Sequence, residues 1–161
     1  MEDIIWFHEE LLVMPLIAGT CEDAIRTLGG QLLEKGYVHD TFIAAVLERE
    51  QNFATGLPTE PVGVAIPHTD ARHVIKPAIA VGISPQPITF HEMGDPDGAE
   101  VPVQVILMLA MPDPAQVTVM LKRLVSILQA PGFLTPLAAA QDRATAAELL
   151  SSRFNPQTKS A

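Results

Sequence analysis

The run Val103-Gln-Val-Ile-Leu-Met-Leu-Ala-Met111 is apolar at all but one position. A strand with one wet face alternates apolar and polar side chains. A strand with apolar residues at successive positions is covered on both faces. This segment therefore reads as the central strand of a sheet with packing on each side, and the remaining segments must supply those covers.

Two further apolar stretches, Val62 to Ile66 and Ala78 to Ile83, read as strands, and Ile88 to Phe90 reads as a third, short one. Ile66 is held extended because it precedes Pro67. Residues 1–18 read as an opening strand or extended arm, and Thr55 to Pro61 and Gly94 to Gly98 as turn-rich links. Amphipathic helices lie between. Thr20 reads as an N-cap with Asp23 as a short variant of the capping box. Ala24, Ile25, Leu28, Leu32 and Leu33 recur behind it at helical spacing, and Gly36 stops the run. Asp40 reads as a second N-cap, ahead of the stripe Phe42, Ile43, Val46 and Leu47, with Arg49 near the end of that helix. Asp113-Pro114 opens a helix with a cap and a proline at its first position. It should bury Val117, Met120, Leu121, Leu124 and Leu128, and Pro131 should end it. Short helices are expected over 132–140 and 144–153, with fraying from Asn155.

Helices alternating with apolar strands predict an α/β fold: a single-domain mixed β-sheet flanked by helices on both faces. The expected domain spans residues 1–155, with a flexible C-terminal tail over 156–161. Sites in such sheets form in loops beyond the carboxyl ends of strands, and His68 falls just past one.

Charge and cysteine usage remove several functions. The formal charge of −9 lacks the basic footprint that nucleic acid or an anionic membrane requires. Cys21 stands alone, so neither an intrachain disulfide nor a thiolate metal cluster can form, which fits a reducing cytoplasm. It reads as a small packing residue. Met1-Glu-Asp-Ile-Ile-Trp6 carries acids where a secretory signal needs positive charge, and no apolar run reaches the length of a membrane span.

The chemistry concentrates around His68. The strand before it and Pro67 would deliver the imidazole at a fixed angle, as a nucleophilic histidine requires. A structural histidine hydrogen-bonded at a strand end is the plainer alternative. His68, Asp70 and His73, with His91 and Glu92 within possible recruitment, suggest a metal-hydrolase reading. Their order matches no standard zinc spacing, so no metal is expected. There is no G-x-S-x-G elbow and no phosphate-binding Gly-rich loop with a lysine. A phosphorylated imidazole would need a fork of donors, which Arg49 and the Thr55 hydroxyl could supply. Leu57, Val62 and Val64 could form an apolar rim for a partner.

Gly63-Val-Ala-Ile-Pro-His68, with Arg49-Glu50 and Thr55 upstream, resembles the active-site signature of phosphotransferase-system (PTS) enzyme IIA proteins of the fructose–mannitol superfamily. Lys35-Gly-Tyr-Val-His-Asp-Thr41, Glu48-Arg-Glu-Gln-Asn-Phe-Ala-Thr-Gly56 and the helix ending Leu128-Gln-Ala-Pro131 are similar to the galactitol-type branch. The resemblance spans about residues 20–150. It implies a cytoplasmic phosphotransferase that needs no cofactor. The phosphocarrier HPr would phosphorylate His68 on Nε2. A cysteine of the cognate enzyme IIB would then take the group, energising uptake of a sugar or galactitol-like polyol through a membrane IIC. Arg49 and Thr55 would stabilise the phosphoryl oxygens. The mannitol and fructose branches place a second histidine early in the helix after the central strand, a register that here falls at Val117. Either the site works without that helper or His73 serves as an auxiliary. A regulatory IIA-like module that signals its phosphorylation state by binding proteins is the alternative function.

Overall fold

The computed structural model describes residues 6–155. The acidic opening over 1–5 and the expected tail over 156–161 lie outside the described residues. Among the described residues, five strands form one mixed sheet: β1 (Leu12–Val13), β2 (Gly56–Leu57), β3 (Gly63–Ala65), β4 (Ala78–His91) and β5 (Glu100–Ala110), in the order β1-β4-β5-β3-β2. β5 runs antiparallel to β4 and parallel to β3. Helices α1 (Cys21–Glu34) and α2 (Phe42–Asn52) cover one face. Helices α3 (Pro114–Gln129), α4 (Leu134–Ala139) and α5 (Arg143–Phe154) cover the other.

β5 bears out its apolar sequence. Ile106, Met108 and Ala110 pack towards α1 and α2, while Val105, Leu107 and Leu109 pack towards α3, α4 and α5. Val101 and Val103 break that parity by facing the α1 side. The switch falls at Gln104, where the register shifts against both neighbouring strands, as an inserted residue in one strand requires. Opposite it, the two expected strands over 78–83 and 88–90 are one strand with a bulge between Ile83 and Ile88. Pro85 and Pro87 cannot donate to a ladder. The bulge is held instead by the Gln104 side-chain amide, which donates to the carbonyls of Ser84 and Pro85 at 3.2 and 3.4 Å.

Local signals place the helix ends. The Thr20 hydroxyl caps α1 by accepting from Asp23 N–H at 3.1 Å. Gly36, at φ +81°, closes it: Tyr37 N–H donates to Leu32 O at 2.9 Å and Gly36 N–H to Leu33 O at 3.1 Å. Asp113 and Asp142 cap α3 and α5. Asp40 does not cap α2: the cap position is Thr41, and the turn is closed by Phe42 N–H donating to His39 O at 3.0 Å. Among its described residues, the opening arm contributes the two residues of β1, after a short 3-10 turn at Glu9–Leu11. The link read as turn-rich contains β2, which pairs antiparallel with β3. Among the described residues no helix is long and apolar enough to cross a membrane.

Fraying does not begin at Asn155. Its side-chain oxygen accepts from the backbone N–H groups of Trp6 and Phe7, each at 2.9 Å, and its amide donates to Phe7 O at 3.0 Å. One amide thus ties the two ends of the fold together. Replacing Asn155 by Ala leaves those backbone groups without that partner and should cost about 2 kcal/mol of stability. Urea unfolding followed by Trp6 fluorescence measures this, and an unchanged midpoint would refute the clamp.

Candidate functional site

His68 is delivered by β3. Val64, Ala65 and Ile66 are fully buried, and Leu109 N–H on β5 donates to the Pro67 carbonyl at 3.1 Å. Gly63 lies so close to the Pro102 carbonyl that a Cβ there would clash with it, so the strand is seated tightly against β5. The imidazole is only 5% exposed, and its Nδ1 lies 2.8 Å from the Ile66 carbonyl. A carbonyl only accepts, so Nδ1 carries the proton and Nε2 keeps its lone pair. Burial pulls the pKa of His68 below 6.5, the Ile66 bond opposes this, and Arg49 adds to the lowering. The ring is therefore neutral at pH 7 and nucleophilic at one defined nitrogen.

His68 opens into a cavity of about 350 Å³ shared with Arg49, Thr69, Asp70, Pro114 and Val117. The Arg49 guanidinium sits 5.2 Å from the centre of the Phe53 ring. Its Nε is buried without a hydrogen-bond partner, and no carboxylate pairs with it, among the described residues. A buried donor beside a neutral nucleophile is a place for an anion. Asp70, on the same rim, pairs with Arg72 at 3.7 Å in an exposed position. Pro114 and the half-buried Val117 form the apolar wall opposite. Of the residues expected to form an apolar rim, Val64 is fully buried, and the half-buried Leu57 and Val62 are not among those that line this cavity.

The other expected participants sit elsewhere. Thr55 is buried, and its hydroxyl donates to Glu50 Oε1 at 2.8 Å and accepts from Ile66 N–H at 3.2 Å. It does not line the cavity. His73 also lies outside that lining. Arg72 Nε donates to its Nε2 at 3.3 Å, which leaves Nδ1–H to donate to Thr41 Oγ1 at 2.8 Å. Among the described residues no group of three His, Cys, Asp or Glu side chains is arranged to hold a metal ion.

Sequence reasoning missed Glu50 as a participant in its own right. Its carboxylate accepts from both Thr55 N–H and the Thr55 hydroxyl, each at 2.8 Å. Burial pushes its pKa up to about 7, against the Thr55 bonds and Arg49, which lower it. The available signal was its place on the stripe of Phe42 and Val46, where an acid is out of keeping with its neighbours. A second concavity of about 800 Å³, between α1, α2 and the end of β4, contains Glu50 but neither His68 nor Arg49. Of the two, the smaller cavity is the one that brings the neutral imidazole and the unpaired cation together.

The fold defines the class. The chain superposes on the mannitol enzyme IIA of Escherichia coli, solved in complex with phosphorylated enzyme IIB, with a TM-score of 0.72 at 25% identity over 91% of this chain and 99% of that one. It also superposes on the nitrogen regulatory protein IIA-Ntr of Neisseria meningitidis, with a TM-score of 0.67 at 22% identity over 89% and 95% of the two chains. Residues 6–153 match the family described as phosphoenolpyruvate-dependent sugar phosphotransferase system, EIIA 2, and the chain belongs to that family. The galactitol-specific EIIA component of Escherichia coli (strain K12) is 31% identical over 115 residues, covering 71% of this chain and 75% of that protein. The mannitol-specific EIICBA component of Vibrio cholerae is 38% identical over 88 residues, covering 53% of this chain and 13% of that larger protein.

Because folding lowers the His68 pKa, the unfolded chain binds more protons between the depressed value and 6.5. The group's contribution to stability is present at neutral pH and is lost as pH falls through that window. Nitrogen-15 spectra should show His68 as the Nδ1–H tautomer, with a midpoint below 6.5. An Nε2–H tautomer, or a midpoint above that value, would contradict the geometry.

Proposed function

We propose that this chain is a sugar-specific IIA component of the phosphotransferase system. Its His68 accepts a phosphoryl group from phospho-HPr and passes it to a cysteine of a cognate IIB. The single observation that carries this reading is the pairing of a neutral, carbonyl-held imidazole with an unpaired guanidinium in one cavity. In the accepting step the Nε2 lone pair forms the new N–P bond as the N–P bond of phospho-HPr breaks. Nδ1 keeps its proton, and the Ile66 carbonyl stabilises the positive charge that the ring acquires. In the donating step a IIB thiolate forms an S–P bond as the His68 N–P bond breaks, and the ring leaves neutral with Nδ1–H in place. No proton transfer to or from His68 is needed in either direction.

Arg49 supplies charge and donors to the phosphoryl oxygens, where positioning and electrostatics do most of the work. Pro114 and Val117 limit the approach of water, which protects the phosphohistidine from hydrolysis. With Val117 in the register of the family's second histidine and His73 held by Thr41, His68 and Arg49 constitute the working pair. The galactitol-specific relative supports a polyol or related sugar as the cargo of the system. The IIA–IIB complex of the mannitol neighbour supports a IIB partner. Cytoplasmic placement follows from that partnership, with the chain reaching the membrane only through IIB and IIC.

Incubation with phospho-HPr should give an acid-labile, alkali-stable adduct that His68→Ala abolishes. Arg49→Ala should slow its formation about a hundredfold. An adduct that survives in His68→Ala would falsify the site. Onward transfer to a IIB cysteine separates transport from regulation. A phosphorylated protein that supplies no IIB would favour the signalling module.

A further inference from the structure

Arg49 and Glu50 are neighbours on α2 but line different cavities, Arg49 the one it shares with His68 and Glu50 the larger concavity. Between the carboxylate and the nucleophile runs an unbroken series of short contacts. Glu50 takes both donors of Thr55 at 2.8 Å, the Thr55 hydroxyl oxygen holds Ile66 N–H at 3.2 Å, sharing it with the Thr55 carbonyl at 3.4 Å, and the Ile66 carbonyl holds His68 Nδ1 at 2.8 Å. The N–H and C=O of a single residue, Ile66, are thus gripped from opposite ends. Pro67, whose φ is locked, is the only residue between that grip and His68.

We propose that Glu50 is a positioning residue for the phosphoryl acceptor. Acting through Thr55 and Ile66, it sets the aim of His68 Nε2, and its ionisation switches that alignment between tight and loose. This rests on the reading of His68 as the accepting residue.

The hydrogen-bond inventory gives the switch its sense. An ionised carboxylate only accepts, which matches the two donors that Thr55 presents. Once protonated, one of its oxygens becomes a donor, its acceptor capacity falls, and the charge-assisted bonds from Thr55 become weaker neutral ones. Burial raises the Glu50 pKa to about 7, so the ionised, tightly aligned form prevails above that pH and is lost as pH falls through it. The His68 pKa is lowered from 6.5, so the ring itself remains neutral across that window. Facing Glu50 across its cavity are Cys21 and Glu22 of α1, His91 and Glu92 from the end of β4 and the following turn, and Asp95 in that turn; Arg49 adjoins it on α2.

The experiment compares wild type with Glu50→Gln and Thr55→Val. Two readouts are used: the rate of phosphoryl acceptance from phospho-HPr against pH, and the exchange rate of the His68 Nδ1–H proton in the unphosphorylated protein. Wild type should lose rate as pH falls through about 7. Glu50→Gln should lack that limb and accept phosphate about tenfold more slowly in mildly alkaline buffer. The donor is common to both proteins, so its own titration cancels. Both substitutions should speed exchange of the His68 ring proton, and Thr55→Ser, which keeps the hydroxyl, should restore slow exchange. A double Glu50→Gln, Thr55→Val variant should be no worse than either single one, because both break the same series. Unchanged ring-proton exchange together with an unchanged limb in either variant would overturn the proposal. The ring-proton readout needs no phosphate. Failure of His68 to accept a phosphoryl group would therefore sink the functional reading and still leave the positioning series tested.

Discussion

The hydrogen bond from His68 Nδ1 to the Ile66 carbonyl, 2.8 Å long, is the contact on which the rest of the site depends. It settles which nitrogen holds the proton, and so which one is free to react. On the proposed function it would also prepare the ring for the charge gained on phosphorylation, because the carbonyl is already in place. Without it a buried imidazole would sample two tautomers, and the proposed relay, which accepts and donates through one atom, would misfire in both directions.

That bond exists because of how β3 is built. The strand is three residues long, yet it is clamped on one side by β5, through a close approach at Gly63 and the Pro67 carbonyl, and on the other by β2. β5 is in turn buried on both faces from Val105 to Ala110, so the loop that carries His68 leaves the sheet beside its most deeply buried segment. The second wall of the cavity comes from α3, whose first turn is set by the Asp113 cap and Pro114. The third comes from α2, which brings Arg49. Nucleophile, cation and apolar wall thus come from three elements that meet at one end of the sheet, as expected of a site beyond strand carboxyl ends.

Features with a local cause were legible in the amino-acid sequence. The apolar run at Val103 marks β5, Thr20 and Asp113 mark helix starts, Gly36 marks a helix end, and Pro67 points to a fixed His68. Features that depend on a distant partner were not. The bulge in β4 looks like a break because Pro85 and Pro87 cannot donate, and only Gln104 from the next strand shows how it is bridged. β2 is too short to announce itself without β3. Asn155 looks like the start of a tail until the N-terminal segment packs beside it. His73 is near His68 in sequence, but Thr41, thirty-two residues away, holds its ring. Thr55 was singled out for its hydroxyl, and the structure commits that hydroxyl to Glu50 and Ile66.

The central claim is that one nitrogen of His68 carries the phosphoryl group while the other stays protonated against Ile66. Nitrogen–phosphorus coupling in the ¹⁵N-labelled, phosphorylated protein tests this directly. The account predicts coupling to His68 Nε2 with a proton retained on Nδ1. Coupling to Nδ1, or to any other histidine, would contradict it.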